Sequence, residues 1–371
     1  NLLKNNLIKP GIFHTKSISH GALKSKLNEE LFRKGFILTS IDEEHGVIDY
    51  GSFEDMFIKP RLSFQDIKYF KAFFCWGSYD FKKLKKFFKK KNNIFYLTGS
   101  PRVDLWKKDF KNIWKNKKLS KKKYILIISN FSFCNNHYSV KDIIIRKQLE
   151  GYYERSPNLK RDELNYYIYQ KKTMRKFLLM VKKISRTFPE KKIIFRPHPT
   201  EKIDYWQNSL SNLNNVEIHN DGIISELINN SECVIQNGCT SAVESYISNI
   251  PVINYIPHTD KGQVFGKFVS EFAINIHSEK NLIDTIKSKS FKILKNKKKR
   301  VNERMMFLDK KLSSTKIVNT WRHLIKKKGK FNNNNHIKIR ISLAVKEFFN
   351  FYLSIIVLFL KKKLYLKKII F

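Results

Sequence analysis

The chain has 371 residues, of which 42% are hydrophobic, so it can form two domains of ordinary size with packed cores. That content excludes a disordered polyelectrolyte, since such chains have few apolar side chains. Lys and Arg outnumber Asp and Glu by 73 to 32, a formal net charge of +41. This charge predicts an anionic partner: nucleic acid, an acidic membrane surface or a phosphorylated substrate. The excess of Lys, Asn, Ile and Phe is equally typical of an AT-rich genome.

The four cysteines form no CxxC pair, which indicates neither a zinc site nor a disulfide framework and favours a reducing cytoplasm. The sequence contains no readable secretory signal. Because it begins with Asn1 rather than Met, we expect a fragment that lacks its true N-terminus.

Residues 1–115 mix short apolar runs with helical stretches, which is typical of an α/β domain. We interpret them as a partial, N-terminally truncated Rossmann-like domain that would bind the acceptor. The predicted helices are Leu23–Lys34 and Asp80–Lys90, and the apolar, strand-like runs are Phe36–Ile41, Ala72–Trp76 and Ile94–Thr98. The basic run Lys107–Lys123 has few apolar anchors and predicts an exposed linker.

Residues 116–290 read as a second Rossmann-like domain. It begins at Tyr124–Ser129, a continuous apolar run typical of a strand buried on both faces of a parallel sheet. A long helix is predicted from about Arg161 to Phe188. Alternating elements follow at Lys192–Arg196, Val216–His219, Ile224–Asn229, Cys233–Gln236, Ser241–Ile247 and Pro251–Tyr255. This alternation predicts a doubly wound parallel sheet.

Residues 291–371 read as C-terminal helices followed by a basic and apolar tail. The uninterrupted apolar run in the tail, Leu353–Leu360, is too short for a membrane span, which needs about 20 residues. The stretch Ile341–Phe371 therefore predicts an interfacial helix on an anionic membrane surface, or alternatively a last helix packed on the protein.

Three polar clusters directly follow predicted strands of the second domain: Ser129–Phe131, Arg196–Pro199 and Gln236–Ser241. Ligands of doubly wound sheets bind outside the carboxyl ends of the strands. We therefore expect the three clusters, including Asn130, to line one crevice.

The segment Phe195–Pro199 holds His198 between two prolines just past a strand. Prolines restrict the backbone, so His198 loses little freedom when it binds a ligand. We predict that His198 donates a hydrogen bond to a phosphate, with Arg196 adding a second contact and Pro199 shaping the loop. The alternative is that His198 only caps a loop.

The turn Gln236–Glu244 combines Gly238, which permits a tight turn, with two hydroxyl side chains at a helix start. Thr240 and Ser241 therefore predict a phosphate contact. An ordinary capping box between Ser241 and Glu244 is the alternative, and both can coexist. Glu244 could also accept hydrogen bonds from ribose hydroxyls.

The run Asp42, Glu43 and Glu44 places three adjacent carboxylates before His45 and Gly46. Mutual repulsion raises the pKa of at least one, which suits a general base that deprotonates a hydroxyl. A solvated acidic turn is the alternative. The segment Gly99–Asp104 is a weaker candidate, either an interdomain turn or a further anion contact.

Four motifs resemble bacterial surface carbohydrate (capsule or O-antigen) biosynthesis proteins, which look like glycosyltransferases of the GT-B fold, with two Rossmann-like domains facing a central cleft. The motifs are IDEEHG at 41–46, TGSPRVDL at 98–105, IFRPHPTE at 194–201 and QNGCTSAVESYISNIPVINY at 236–255. The acidic motif paired with a later His-Pro motif is similar to CMP-sugar-dependent sialyltransferases and Kdo transferases. In this sequence His45 separates the acids from Gly46, which departs from the acid-acid-Gly pattern of that family.

The resemblance implies transfer of a nonulosonic sugar, Kdo-like or sialic-acid-like, from a CMP-activated donor to a cell-surface polysaccharide or lipopolysaccharide. It implies that Glu44 or Glu43 is the base, that His198 contacts the CMP phosphate, and that Thr240 and Ser241 bind phosphate too. It also implies no catalytic metal and no cofactor beyond the nucleotide sugar. The expected partners are a glycan or lipid-linked glycan acceptor and the anionic inner membrane, on which a cytoplasmic enzyme would lie peripherally. We expect no nucleic acid.

Two other interpretations stay open. A CDP-glycerol-type polyol-phosphate transferase would share the fold and the hydroxyl turn. A non-catalytic basic protein that binds a membrane or nucleic acid would need no ordered pocket, but no recognised nucleic-acid motif is present.

Overall fold

The computed structural model describes residues 10–49, 53–114, 123–259, 266–291 and 298–328. Residues Ile12–His323 form one compact unit that contains two parallel β-sheets. Of the second unit, Asn1–Gly11 with Leu324–Phe371, the described residues are 10–11 and 324–328. The predicted interfacial helix at 341–371 lies outside the described residues.

The first sheet has the strand order β1-β2-β3-β4, and every neighbouring pair is parallel. Its strands are β1 Ile12–Thr15, β2 Ile37–Ile41, β3 Phe70–Cys75 and β4 Phe95–Leu97. Its helices are α1 Ala22–Arg33, α2 Lys59–Arg61, α3 Ser78–Phe87 and α4 Pro101–Asp104. Short 3-10 segments lie at His45–Val47, Asp66–Tyr69 and Lys89–Ile94, and a π-helical turn at Glu54–Ile58.

The second sheet has six parallel strands in the order β10-β9-β8-β5-β6-β7. Its strands are β5 Ile125–Ile128, β6 Ile193–Arg196, β7 Val216–Ile218, β8 Cys233–Gln236, β9 Val252–Tyr255 and β10 Ile274–Ile276. The connecting helices are α5 Val140–Leu149, α6 Tyr152–Arg155, α7 Pro157–Thr187, α8 Ile203–Leu210, α9 Ile224–Asn230, α10 Ser241–Ile247, α11 Lys267–Ser270 and α12 Glu279–Ser288. The predicted α/β architecture of two parallel sheets with helices is confirmed.

The core of the second sheet forms where α7 packs its apolar face on the strands. Pro157 opens this helix at a position where its missing N–H costs nothing, and the helix ends just before Pro189. Phe177, Met180 and Ile184 are fully buried against β5 and β6 at the helical spacing. Burial on both faces explains why β5 is apolar throughout.

After the second sheet, the chain returns to the first through α13 Lys298–Arg304 and α14 Ser313–Lys328. The Arg304 guanidinium is fully buried there. It donates from Nη1 to the Ile48 carbonyl (2.6 Å) and from Nη2 to the His45 carbonyl (3.0 Å), and its Nε lies 3.1 Å from Asp80 Oδ1. Burial raises the pKa of Asp80 to about 7. The acidic turn after β2 is thus held by a residue about 260 positions away.

The structure differs in part from the exposed linker that was predicted for Lys107–Lys123. Residues Lys108–Trp114 form a 3-10 segment, and residues 115–122 lie outside the described part of the chain. Lys107 itself is buried, because its ammonium bonds Asp104 (2.8 Å) and the Lys311 carbonyl (2.7 Å). Among the described helices, none is both long and apolar enough to cross a membrane.

Candidate functional site

The candidate site lies at the carboxyl ends of β5 and β8, where the strand order of the second sheet reverses. From β5 the chain adds β6 and β7 on one side and then β8, β9 and β10 on the other. This reversal opens a crevice between the loops that follow β5 and β8. All three predicted polar clusters follow strands at this edge of the sheet.

Asn130 joins the two loops. Its backbone N–H donates to Asn237 Oδ1 (3.0 Å), and its Nδ2 donates to the Gly238 carbonyl (3.2 Å). Gly238 has φ +72, a conformation that favours glycine, and its N–H donates to Asn254 Oδ1 (2.9 Å). The Asn130 side chain therefore shapes the floor of the crevice. A small cavity beside it is lined by Tyr166, Tyr169, Asn237, Gly238, Asn254, Tyr255 and Ile256.

His198 is half-buried in the loop after β6. Its Nδ1 accepts from the Thr200 backbone N–H (3.3 Å) and lies 3.0 Å from the Thr200 hydroxyl. Burial lowers the pKa of His198, although the Glu44 carboxylate raises it. The imidazole is therefore neutral at pH 7, and because Nδ1 accepts, the proton is on Nε2. Pro199 beside it is exposed. This loop can therefore present one N–H donor, His198 Nε2–H, to an anion.

Glu201 braces the His-Pro loop and was not identified from the sequence. Its buried carboxylate accepts from the Phe131 N–H (2.8 Å), the Ser129 hydroxyl (3.0 Å) and Trp206 Nε1 (2.7 Å). A longer contact reaches the His198 N–H (3.4 Å). Burial raises the pKa of Glu201, an effect these hydrogen bonds oppose. One carboxylate thus ties the loop after β5 to the loop after β6.

Arg196 does not occupy the position predicted for it. Its Nη1 donates to the carbonyls of His219 (3.1 Å) and Asp221, and its Nη2 to the Gly222 carbonyl (3.2 Å). The side chain is buried, and burial lowers its pKa. Because both terminal nitrogens bond the turn after β7, Arg196 orders that turn and is not directed at a phosphate.

In the hydroxyl turn after β8, the two candidate phosphate-binding residues differ in their exposure. Thr240 is exposed, whereas Ser241 is buried, and its Oγ has no hydrogen-bond partner within the described residues. The capping box left open by the sequence does not form, because the buried Glu244 carboxylate accepts from Ser225 Oγ instead. Burial raises the pKa of Glu244. The Ser241 hydroxyl is thus buried without a partner among the described residues, and Glu244 does not point to solvent.

The acidic turn after β2 likewise divides into buried and exposed carboxylates. Asp42 is 1% exposed and accepts from the N–H groups of Glu44 (2.9 Å) and His45 (3.0 Å). Burial raises its pKa against the opposing effect of Arg61. As a base, Asp42 is a poor candidate, because it is occupied with its own turn. Glu43 and Glu44 are exposed.

Arg61 was not identified from the sequence. Its guanidinium lies 3.1 Å from Asp42 Oδ2 and 3.0 Å from Glu44 Oε2. It therefore fixes the Glu44 carboxylate beside the buried Asp42. No local pattern could have indicated it, since the π-helical turn and α2 bring it to the acidic turn from 17 residues away.

His45 and Gly46 explain the departure from the acid-acid-Gly pattern. His45 is fully buried, its Nδ1 donates to the Asp42 carbonyl (2.9 Å), and burial lowers its pKa to about 3. A Cβ on Gly46 would lie 2.2 Å from the Trp76 ring, so only glycine permits this packing. Both residues hold the turn.

The two strand ends face each other. The Glu44 carboxylate is close enough to act electrostatically on His198, and Arg102 acts in the same way on Glu244. Arg102 also donates to the Glu43 carbonyl (3.4 Å). Direct bonds join the same two regions, since Asp49 accepts from the N–H groups of Lys267 (3.3 Å) and Phe268 (2.6 Å). The structure thus places Glu44 within electrostatic reach of His198, and the exposed Arg102 beside Glu43 and within electrostatic reach of Glu244. In the described part of the chain, no group of three or more His, Cys, Asp or Glu side chains could hold a metal ion.

No protein-family model matches the chain, and no curated protein does. Among solved structures, the wall teichoic acid polymerase TagF is 14% identical with a TM-score of 0.51, over 85% of this chain and 73% of that one. A variant of TagF soaked with CDPG is 12% identical with a TM-score of 0.52, over 86% and 73%. UDP-GlcNAc 2-epimerase from Neisseria meningitidis, bound to UDP-GlcNAc, is 13% identical with a TM-score of 0.47, over 87% and 78%. At these identities the likeness to TagF shows the fold alone, and that fold is GT-B.

Proposed function

We propose that this protein is a glycosyltransferase that moves a nonulosonic sugar from a CMP-activated donor to a cell-surface glycan. The observation that carries the proposal is the approach of Glu44 to His198 across the cleft at the switch point of the second sheet. One side of the cleft thus offers an exposed carboxylate and the other a fixed N–H donor. Transfer between a nucleotide donor and a hydroxyl acceptor needs both groups.

The departing nucleotide is stabilised from the second-sheet side. His198 Nε2–H donates to a phosphate oxygen, and the unpartnered Ser241 hydroxyl with the exposed Thr240 supplies further donors. Donors held in place before the reaction stabilise the charge that develops on the leaving phosphate. The cation of Arg102 lies at the same cleft and can approach this phosphate.

The acceptor is activated from the first-sheet side. Glu44 takes the proton of the acceptor hydroxyl, and Arg61 holds its carboxylate in place. Glu43 is the second candidate for the base because it is also exposed, whereas Asp42 only orders the turn. Asn130 and Gly238 shape the floor on which the nucleotide lies. We assign no direct contact with the nucleotide to Arg196 or Glu244.

The acceptor and the cellular location follow from charge in this proposal. A protein of +41 is attracted to anionic membranes, and a lipid-linked glycan is presented there. The enzyme would therefore lie on the cytoplasmic face of the inner membrane.

A CDP-glycerol-type polyol-phosphate transferase is the second candidate. It is favoured by the shared fold with TagF, a polymerase whose structure was solved after a CDPG soak. Both candidates use a cytidine nucleotide, so they differ in the transferred group more than in the nucleotide.

A thermal-shift series with CMP, CDP, UDP and GDP tests the proposal. We expect CMP to raise the melting temperature and His198→Ala to abolish that rise, because the variant lacks the phosphate donor. His219→Ala is the matched control, since that imidazole pairs with Glu217 instead. Turnover of CDP-glycerol without protection by CMP would establish the second candidate. Protection by UDP alone would contradict both, and affinity for membrane or nucleic acid that His198→Ala does not alter, with no nucleotide protection, would establish the non-catalytic interpretation.

A further inference from the structure

Helix α7 carries an exposed stripe along its outer face that the proposed reaction does not use. The stripe follows spacings of three, four and seven residues, so its members share one side of the helix. Its exposed members are Arg161, Leu164, Ile168, Arg175, Leu179 and Arg186, and Lys182 on the same side is half-buried. At the helical rise it extends over about 38 Å.

Asp162 and Glu163 lie near the start of this helix, and Asp162 pairs with Arg161 (3.4 Å), but the charges beyond Glu163 have one sign. Between Leu164 and Thr187 there is no Asp or Glu. The cations in the same span are Lys171, Lys172, Arg175, Lys176, Lys182, Lys183 and Arg186. A helix that only needed a solvated face would gain from paired charges of both signs, which this span lacks.

Apolar side chains interrupt the cations on the same face. Leu164, Ile168 and Leu179 are 39%, 53% and 52% exposed, whereas Phe177, Met180 and Ile184 on the opposite face are fully buried. Exposed cations alone would suit a nucleic acid or another polyanion. Exposed Leu and Ile among the cations suit a lipid surface better than a polyanion, because these apolar side chains leave water in a bilayer.

The inner face of the same helix contributes to the crevice. Gln170 donates to the Asn130 carbonyl (2.7 Å), two residues after the exposed Ile168. At the other end of the stripe, Lys182 and Arg186 line an open cavity of about 340 Å³ together with Ser185 and Asn215. This polar cavity offers two cations to a phosphate headgroup.

We infer that the outer face of α7 docks on an anionic lipid bilayer, with Leu164, Ile168 and Leu179 among the acyl chains and the basic side chains at the headgroups. Docking of this face places the crevice beside the membrane surface. The inference holds for any nucleotide donor, and vesicle binding is measured without one.

Sedimentation of the full chain with vesicles of phosphatidylcholine, with and without phosphatidylglycerol, tests the charge. We expect Arg175→Glu, Lys182→Glu and Arg186→Glu together to lower partitioning onto the anionic vesicles on the order of 100-fold. The control makes the same charge change on exposed positions of the first-sheet region, Lys82→Glu, Lys86→Glu and Lys89→Glu. It should lower partitioning less than about fivefold, because those lysines lie away from the bilayer. Equal losses in the two variants would overturn the inference.

The apolar side chains decide between lipid and polyanion. Ile168→Ser with Leu179→Ser should lower vesicle partitioning about tenfold or more while leaving binding to duplex DNA unchanged. Leu23→Ser with Leu27→Ser, at exposed positions of α1, is the matched control and should have little effect. Wild-type sedimentation of the α7 apolar variant would overturn the inference, as would equal losses in the two apolar variants. Circular dichroism confirms that each variant is folded.

Discussion

The acidic turn after β2 and the His-Pro loop after β6 are both stabilised by a buried carboxylate. Asp42, the brace of the first loop, accepts two backbone N–H groups of its own loop, and Glu201, the brace of the second, accepts the His198 N–H of its own loop and the Phe131 N–H of the loop after β5. Beside each brace stands a more accessible group, Glu44 or His198, that faces the opposite loop. In each loop, the buried charge determines the geometry and its neighbour is available for chemistry.

The two buried carboxylates differ in the groups that compensate their negative charge. Asp42 faces the cation of Arg61, whereas Glu201 has a cluster of neutral donors, among them Ser129 and Trp206. The first turn is therefore held by an ion pair at the edge of the cleft and by Arg304 behind it. The second is held entirely by hydrogen bonds within one domain, so it is the more self-contained of the two.

The largest effect is expected on kcat, when Glu44 in the acidic turn is replaced and compared with its neighbour Glu43. We expect Glu44→Gln to lower kcat about 100- to 10,000-fold, the usual contribution of a general base. Glu43→Gln is the control, because its carboxylate is also exposed, whereas Arg61 bonds Asp42 and Glu44. Steady-state turnover with the donor identified by thermal shift measures both. A greater loss in Glu43→Gln would transfer the role of base to Glu43.

Removal of the brace in the second loop should act on stability. Glu201→Ala leaves several buried donors without an acceptor, so the free energy of unfolding should fall by about 3 to 5 kcal/mol. Urea unfolding measures the change. Glu217→Ala, which removes an exposed carboxylate of the same sheet, should cost less than about 1 kcal/mol. A similar small loss in Glu201→Ala would show that the loop holds without its brace.

His45 Nε2 and Asp80 Oδ2 lie 3.4 Å apart behind the first turn, and the two buried side chains should give pH effects of opposite sign. His45 has a folded pKa of about 3, so below about pH 6.5 the unfolded chain binds a proton that the folded chain does not. Its contribution is lost as pH falls. Asp80 has a folded pKa of about 7, so the folded chain retains a proton that the unfolded chain loses above about pH 3.9, and its contribution is lost as pH rises.

Variants at the two positions should therefore diverge. Between pH 6.5 and 4, Asp80→Asn should become less stable relative to wild type on acidification, and His45→Gln more stable, each by about 1.4 kcal/mol per pH unit. Urea unfolding across this range, compared as differences from wild type, measures both slopes. If the difference in unfolding free energy from wild type changed with pH in the same direction in both variants, the shifted pKa values of His45 and Asp80 would be contradicted.

The smallest effect should distinguish the two basic residues of the His-Pro motif. His198→Ala should raise the Kd for the nucleotide about 10- to 100-fold, the usual effect of losing a hydrogen bond to a charged group. Arg196→Lys should change this Kd less than about threefold, because the guanidinium bonds the turn at 219–222. Isothermal titration measures both. A tenfold higher Kd in Arg196→Lys would show that Arg196 contacts the phosphate.

Much of the fold could be predicted from hydrophobic patterns. The strands of the second sheet are short apolar runs bounded by polar turns, and each was identified within one or two residues except β10. Helices α5 and α6 were missed, because α5 is only weakly amphipathic, with Ile145 and Leu149 exposed, and α6 has four residues. The long helix begins at Pro157 rather than near Arg161, because proline suits a first helical position as well as a turn.

Within the candidate site, the residues that follow the strands could be predicted from the hydrophobic pattern. The carboxyl ends of parallel strands meet at one edge, so Asn130, His198 and Ser241 could be assigned to one crevice from pattern alone. Which of two neighbouring polar side chains is buried and which is accessible depends on tertiary contacts that the local pattern does not contain. Asp42 is buried and Glu44 exposed, and Arg196 is bonded while His198 can donate, because their partners come from distant parts of the chain. Local periodicity determines how a segment folds, but the burial and bonding of its polar groups depend on segments that fold against it.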